Sequence, residues 1–225
     1  SDIKVMGPDS GLQACGEVGE GRLLDISKIV EHVIALYPSS KLLGKHVLIT
    51  AGPTQEAIDP VRYLTNRSSG KQGYAIAQAA LDAGAEVTLI SSVNLPTPIG
   101  AKVIKIESAL ELQKAVLNTI AYDNQADILV MAAAVGDFRP AERAEQKIKK
   151  QGDDEGMTIT LTRNPDILKS VYQLRKNPTD LTQSQQENLS QLAVVVGFAA
   201  ESENILDNAQ SKVERKGHDF IMAKN

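Results

Sequence analysis

Short apolar runs alternate with segments of helical periodicity along most of the chain. Runs at 46–50, 86–91 and 102–106 predict the first three strands. Residues 127–133 are nearly all apolar, as expected for a strand buried on both faces. Helices are predicted over 69–83, from Ser108 onward, over 165–175 and over 203–216, and further strands at 157–162, 193–197 and 219–223.

Strands that alternate with helices predict an α/β fold, in which a Rossmann-like, mostly parallel sheet carries helices on both faces. Residues 1–23 are rich in glycine and predict an irregular segment, and a short amphipathic helix is expected at about 25–37. The segments 141–156 and 176–190 are polar, and we expect the second to be a mobile link.

The balance of charges limits the possible partners. Lys plus Arg total 24 against 28 Asp plus Glu, which gives a net charge of −4 and no broad attraction to a nucleic acid backbone. The longest apolar runs fall short of the ~18 residues that span a bilayer. Cys15 is the only cysteine and no signal peptide is apparent, so we expect a cytoplasmic protein with neither nucleic acid nor membrane partners.

In open α/β sheets, ligands bind beyond the carboxyl ends of the strands. The segments expected there are 51–54, 91–94, 134–139, 198–201 and 223–225. Just before the helix at 69–83, Ser68, Ser69, Gly70 and Lys71 form a possible phosphate site, because free N–H groups at a helix start attract anions. A capped helix whose Gly73 packs closely on the sheet explains the same residues equally well.

Two further segments could hold a nucleotide. The strand at 127–133 runs into small residues, which let a flat ring approach the backbone, and Asp137 could accept hydrogen bonds from a ribose. The alternative is a tight turn in which Asp137 caps a backbone N–H. In the basic cluster 147–150, Lys147 could reach a triphosphate, whereas Lys149 and Lys150 are expected on a solvated face.

The remaining candidates have ordinary structural explanations beside the functional ones. Residues 164–168 read as a normal helix start. Lys212 and Lys216 share a helix face, either by coincidence or around an anion. No His or Cys cluster has metal-ligand spacing, so we predict a reaction without a structural metal or a protein nucleophile, driven by positioning and charge stabilisation.

Four segments, in order, resemble phosphopantothenoylcysteine synthetase over about residues 44–225. They are ITAGPTQEAIDPVRYLTNRSSGKQGYAIA, AAAVGDFRPAERAEQKIKK, LTRNPDIL and VVGFAAE. The N-terminal PDSGLQACGEVGEGRL resembles the last segment of the flavin-dependent decarboxylase that precedes the synthetase in bifunctional enzymes. The resemblance implies a decarboxylase tail and linker helix at 1–43, and a synthetase nucleotide-binding domain at 44–225 that is truncated at its C-terminus.

The resemblance further implies a ligase of coenzyme A biosynthesis. It would join 4′-phosphopantothenate to L-cysteine through an acyl-cytidylate, consuming CTP with Mg²⁺ and releasing pyrophosphate and CMP. The sequence of this chain does not show whether the nucleotide substrate is CTP or ATP. The family also suggests a homodimer with shared sites, in a higher assembly for the full bifunctional protein, and FMN only in the decarboxylase domain.

Residue by residue, Asn66 matches the amide that steadies the acyl-cytidylate. Cys15 matches the proton donor of the decarboxylase and is expected to be idle without the flavin domain. The nucleotide-binding positions of the family match Met131, Ala132, Ala133, Asp137, Lys147, Pro165, Asp166, Ile167, Leu168, Phe198, Lys212 and Lys216.

Two alternatives to the ligase remain. An NAD(P)-dependent oxidoreductase would fit the order of elements and the glycines at 70 and 73, but Ser91 and Ser92 stand where a ribose-binding carboxylate is expected. The other alternative is a fragment that binds a nucleotide without catalysing a reaction.

Overall fold

The structure, a computed structural model, describes residues 9–12, 18–22, 25, 28, 40–123, 126–149, 156–200 and 219–224. In chain order the strands are β1 (Asp9–Leu12), β2 (Val18–Arg22), β3 (His46–Ala51), β4 (Gln55–Ala57), β5 (Tyr63–Thr65), β6 (Glu86–Ser91), β7 (Lys102–Lys105), β8 (Ile128–Met131), β9 (Phe138–Pro140), β10 (Leu161–Arg163), β11 (Val194–Ala200) and β12 (Phe220–Lys224). The α-helices are α1 (Lys71–Asp82), α2 (Ala109–Asn118), α3 (Ile167–Lys176) and α4 (Gln183–Ser190). Short 3-10 helices cover Ser40–Leu42 and Pro178–Asp180, and a π-helix covers Thr119–Asp123.

Six strands form one parallel sheet in the order β12-β11-β8-β3-β6-β7. From β3 the chain first builds outward through β6 and β7, and then returns to place β8 on the other side of β3. The strand order therefore reverses between β3 and β8. In open α/β sheets such a topological switch point is where ligands bind, and the strand order confirms the predicted Rossmann-like fold.

The central strands are apolar on both faces because each face is covered. On one face Leu48, Leu129 and Leu112 are fully buried in a single cluster. On the opposite face Ile49 and Leu89 are fully buried in a second cluster, which includes residues of α1. Two buried faces explain why the runs in β3, β6 and β8 show no polar alternation.

Several boundaries match the sequence pattern, and others do not. Strands β3, β6 and β7 and helices α1 and α3 lie where they were predicted, whereas β8 is shorter than the apolar run and β10 lies at 161–163 rather than 157–162. The predicted irregular segment was wrong for β1 and β2, which form an antiparallel hairpin with Gly11 opposite Gly19. Glycine has low strand propensity, so its abundance concealed the pairing.

The mobile link predicted at 176–190 was also wrong. Thr182 and Gln185 form a reciprocal capping box at the start of α4. Leu181, Leu189 and Leu192 are buried in the core and hold the helix to the sheet. Leu189 is the one apolar residue inside α4, so the segment shows no apolar periodicity that would predict a helix.

At the start of α2, Ser108 and Glu111 have the spacing of a capping box, but the box is only half formed. The Ser108 hydroxyl accepts the N–H of Glu111 at 3.2 Å, but the Glu111 carboxylate accepts the N–H of Glu107 instead. The predicted helices at about 25–37 and 203–216 lie almost wholly outside the described residues. Within the described part of the chain, no helix is both long and apolar enough to cross a membrane.

Candidate functional site

The loops after β3 and β8 are bonded to each other at the switch point. The N–H of Ala134 donates to the carbonyl of Gly52 at 2.9 Å, and the N–H of Thr54 donates to the carbonyl of Ala134 at 3.2 Å. Pro53 and Ala134 form a parallel bridge. The two loops at the switch point are thus joined by backbone hydrogen bonds and do not stand independently.

Two buried threonines fix the β8 loop from the β3 side. The Thr50 hydroxyl accepts the N–H of Ala133 at 3.1 Å, and the Thr54 hydroxyl accepts the N–H of Gly136 at 2.9 Å. Both threonines are fully buried. Thr54 lies in the segment 51–54 that was expected at this edge. Thr50 was not among the predicted site residues, although a hydroxyl inside an apolar strand is a signal, because a buried polar group needs a partner.

Asn66 directly follows β5 and contacts the same loop. Its amide N–H group donates to the carbonyl of Val135 at 3.1 Å and to that of Ala134 at 3.5 Å. The longer contact lies at the weak limit of a hydrogen bond. The structure therefore brings Asn66 to the loop that follows Met131, where the predicted nucleotide residues Ala132, Ala133 and Asp137 lie.

Asn164, the first residue of the candidate segment 164–168, joins the β8 loop to the start of α3. Its side-chain amide donates to the carbonyl of Gly136 at 2.8 Å, and its backbone N–H donates to the carbonyl of Asp137 at 2.8 Å. The guanidinium of Arg139 donates to the Asn164 side-chain oxygen at 3.2 Å. Residues 165–168 are thereby placed beside Asp137, whose own side chain is exposed.

Within residues 165–168, the helix-start interpretation is confirmed. The Asp166 carboxylate accepts the N–H of Lys169 at 3.1 Å and caps α3. Ile167 is buried in the core and Leu168 packs against it. A nucleotide role for Pro165 and these three residues stays a prediction.

Helix α1 begins at the same edge of the sheet. Gly70 is its N-cap with a φ of 73°, and the Ser68 hydroxyl accepts the Gly70 N–H at 3.4 Å. Ser69 and Lys71 are exposed. A Cβ on Gly73 would lie 2.5 Å from the Cβ of Ala51, which confirms its close packing on β3. Phosphate binding by residues 68–71 stays a prediction.

The groove that a dinucleotide would need beside these glycines is filled by protein side chains. A Cβ on Gly52 would clash with the Ser92 hydroxyl oxygen, and one on Gly70 would lie 2.7 Å from a methyl carbon of Val93. The Val93 carbonyl is fixed by donors from Tyr74 at 3.1 Å and Lys105 at 2.8 Å. Strand β6 ends at Ser91 without a carboxylate. Both observations disfavour the NAD(P) alternative.

Lys147 lies at the far end of the β4–β5 hairpin from Asn66. The lysine is exposed, and the next residue, Ile148, is bound to the hairpin turn. The Ile148 N–H donates to the Asp59 carboxylate at 3.1 Å, and its carbonyl accepts from Arg62 at 2.9 Å. The hydrogen bonds from Arg62 hold the pKa of Asp59 well below its usual range. The described contacts do not bring Lys147 and Asn66 together.

Phe198 lies inside β11 rather than in a loop after it. Its neighbour Gly197 pairs with Met131 of β8, so Phe198 is at the same edge as the β8 loop, half-buried against the second core cluster. Cys15, Lys212 and Lys216 lie outside the described residues. In the part of the chain that the structure describes, no three His, Cys, Asp or Glu side chains are grouped so that they could hold a metal ion.

Comparison with known proteins gives a consistent result. Residues 42–225 match the family described as DNA/pantothenate metabolism flavoprotein C-terminal domain. The chain is 46% identical over 220 residues to the coenzyme A biosynthesis bifunctional protein CoaBC of Vibrio cholerae, which covers 97% of this chain and 51% of that protein. It is 43% identical over 228 residues to the CoaBC protein of Escherichia coli K12, covering 99% and 52%. The chain thus spans about half the length of these relatives.

Solved structures agree with the fold. A crystal structure of the C-terminal domain of a CoaBC protein has a TM-score of 0.64 and 37% identity, and the alignment covers 83% of this chain and 80% of that one. A Cab2 mutant in complex with phosphopantothenate-cysteine also has a TM-score of 0.64, but at 19% identity it shows a likeness of fold alone.

Proposed function

Because the chain belongs to the DNA/pantothenate metabolism flavoprotein C-terminal domain family, we propose that it carries the ligase that joins 4′-phosphopantothenate to L-cysteine in coenzyme A biosynthesis. CTP is the proposed energy source, through an acyl-cytidylate. The relatives support the pathway by their names, and a structure of similar fold holds phosphopantothenate-cysteine. The observation that carries the proposal is the position of the Asn66 amide on the β8 loop, at the switch point of the sheet.

Two displacements make up the proposed reaction. First, a carboxylate oxygen of 4′-phosphopantothenate attacks the α-phosphorus of CTP, and the bond to pyrophosphate breaks. The cysteine amine then attacks the acyl carbon and loses a proton, and CMP leaves with the electron pair of the C–O bond. Both steps develop negative charge on oxygen, so placed hydrogen-bond donors can stabilise the transition states.

Asn66 is suited to the second displacement. One of its N–H contacts, to the Ala134 carbonyl, is 3.5 Å long and therefore weak. An acyl oxygen that approaches Nδ2 can replace this weak contact at little cost, while the 3.1 Å contact to Val135 keeps the side chain in place. Because the amide is neutral, it strengthens its bond as charge develops without trapping the anion beforehand.

The nucleotide is proposed to lie along the β8 loop. Ala132 and Ala133 have small side chains, which leave the backbone open to the base, and the exposed carboxylate of Asp137 can accept ribose hydroxyls. Lys147 is assigned to the triphosphate, which enters as its Mg²⁺ complex, so that phosphate oxygens carry most of the metal coordination. Assignments for Met131, residues 165–168, Phe198, Lys212 and Lys216 rest on the resemblance alone.

A homodimer is proposed as the working unit. Val61, Tyr63, Phe138 and Leu161, on the β4–β5 and β9–β10 hairpins, expose large apolar side chains near the carboxyl edge. Covering them would place a second copy close to the site. The tail at 1–43, with Cys15, is assigned to a decarboxylase domain that would bind FMN, and the protein is proposed to act in the cytoplasm.

The test measures pyrophosphate release from MgCTP by the purified protein, with and without 4′-phosphopantothenate. We expect release that depends on 4′-phosphopantothenate, followed by CMP release that depends on cysteine. ATP in place of CTP decides the nucleotide preference, and a fluorescence titration with NADH tests the oxidoreductase alternative. CTP binding without pyrophosphate release would favour the non-catalytic fragment, and tight NADH binding would refute the ligase.

A further inference from the structure

Asp59 is a buried carboxylate that binds two separate parts of the chain. It is 2% exposed and lies in the turn between β4 and β5. Its oxygens accept the backbone N–H groups of Val61 and Arg62, each at 2.8 Å, and the Arg62 Nε–H at 3.0 Å. It also accepts the N–H of Ile148 at 3.1 Å, from a residue 89 positions away. These bonds are more than the turn itself needs.

Together Asp59 and Arg62 occupy both backbone polar groups of Ile148. Asp59 accepts its N–H, and the Arg62 guanidinium donates to its carbonyl at 2.9 Å. A second attachment lies four residues earlier, where the N–H of Ala144 donates to the carbonyl of Ile58 at 3.0 Å. The segment 144–148 is thus fixed along the hairpin turn through its backbone, and the side chains of residues 145–148 are exposed.

The residue that gains from this fixation is Lys147. It is exposed, and among the described residues no side chain or backbone group pairs with its ammonium. A free lysine loses rotamer entropy when it is ordered on a ligand, and this loss opposes binding. Among the described residues, only the fixed backbone of the segment 144–148 restricts where the Lys147 ammonium can reach.

The β4–β5 hairpin, which holds the segment 144–148, is itself hydrogen-bonded to the rest of the fold. Glu56, in the middle of β4, is 3% exposed, and its carboxylate accepts the N–H of Ala109 at the start of α2, at 3.0 Å. At the other end of the hairpin, the Thr65 hydroxyl donates to the carbonyl of Thr54 at 2.9 Å, next to Asn66. One fixed hairpin therefore carries Asn66 at one end and the anchor of the Lys147 segment at the other.

We infer that Asp59 is a positioning residue for the proposed ligase: through Arg62 and the backbone of Ile148 it holds Lys147 where its ammonium meets the triphosphate. The inference rests on the proposed function. A purely structural role for Asp59 is the competing explanation, and thermodynamic coupling between Asp59 and Lys147 separates the two.

The variant Asp59→Asn tests it by isothermal calorimetry with MgCTP. The carboxamide keeps an acceptor for the turn but places N–H groups against the donors of Arg62 and Ile148. We expect the Kd for MgCTP to rise on the order of tenfold, as for Lys147→Ala, since a charge-assisted contact to phosphate is lost in both. The double variant Asp59→Asn, Lys147→Ala should bind MgCTP with the same Kd as Lys147→Ala alone, because the two residues act through one contact.

Asp180→Asn is the matched control, since Asp180 is exposed and the change removes the same charge. We expect its Kd to equal that of the unchanged protein. An unchanged Kd in Asp59→Asn, or losses that multiply in the double variant, would overturn the inference. Should Asp59→Asn not fold, Ile148→Pro removes the N–H that Asp59 accepts and also restricts the backbone of Lys147, so normal MgCTP affinity in that variant overturns the inference equally. Failure of the proposed function shows differently, as a lack of MgCTP binding by the unchanged protein.

Discussion

Gly73→Ala is predicted to destabilise the protein, although alanine is the better helix former. Gly73 lies in the first turns of α1, and helix propensity alone favours alanine there by about 1 kcal/mol. A Cβ at this position would lie 2.5 Å from the Cβ of Ala51 and 2.9 Å from the carbonyl oxygen of Thr50. These atoms belong to β3, the central strand of the sheet, so they cannot move aside independently.

The size of the loss follows from two opposing contributions. Overpacking of a close-packed interior costs about 1–3 kcal/mol, and contacts with strand atoms favour the upper end of that range. After subtraction of the gain in helix propensity, we expect a net loss of about 2 kcal/mol. For a domain of this size that loss lowers the Tm by about 4–8 °C.

Urea unfolding followed by circular dichroism measures the change, with Ala75→Gly as the control. Ala75 is exposed on the same helix, so its replacement by glycine should cost about 1 kcal/mol through propensity alone. If Gly73→Ala unfolds at the same or a higher urea concentration than the unchanged protein, the packing argument for α1 against β3 is wrong.

Three further predictions concern the site and the buried carboxylates. Lys147→Ala should raise the Kd for MgCTP on the order of tenfold with no change in Tm, and an unchanged Kd by calorimetry would place Lys147 on a solvated face. Asn66→Asp should leave MgCTP affinity within about twofold but lower cysteine-dependent CMP release by about 10²–10³-fold, because a carboxylate cannot donate to the developing oxyanion; normal turnover in a single-turnover assay would exclude the role. Hydrogen bonds from Arg62 lower the pKa of Asp59. Burial raises the pKa of Asp127, but the hydrogen bond from the His46 N–H and the Lys45 ammonium lower it by more, so the net shift is downward. Both carboxylates therefore stabilise the fold above their ordinary pKa of 3.8 and lose that contribution as the pH falls below it, so urea titrations should show a falling free energy of unfolding below about pH 4, and a rise there would contradict this sign.

The sequence by itself determined the central sheet and its helices. The apolar runs of β3, β6 and β8 predict strands with two buried faces, because each must be covered on both sides. The alternation of these runs with helical periods then leaves a parallel sheet as the expected fold. Local signals such as the small residues after β8 also marked the loops at the carboxyl edge, since a chain leaving a parallel strand must pass there.

Tertiary structure alone decided which residues complete the site. The β4–β5 and β9–β10 hairpins have three-residue strands, too short for a detectable periodicity, and their pairing depends on what lies beside them. Helix α4 contains one apolar residue, Leu189, so its attachment to the core through Leu189 and the flanking Leu181 and Leu192 appears only in the folded chain. The bonds of Asp59 to Ile148 and of Asn164 to Gly136 join residues 89 and 28 positions apart. Contacts of this kind depend on how the folded sheet brings its loops together. A local sequence pattern cannot predict them, because the two partners are far apart along the chain.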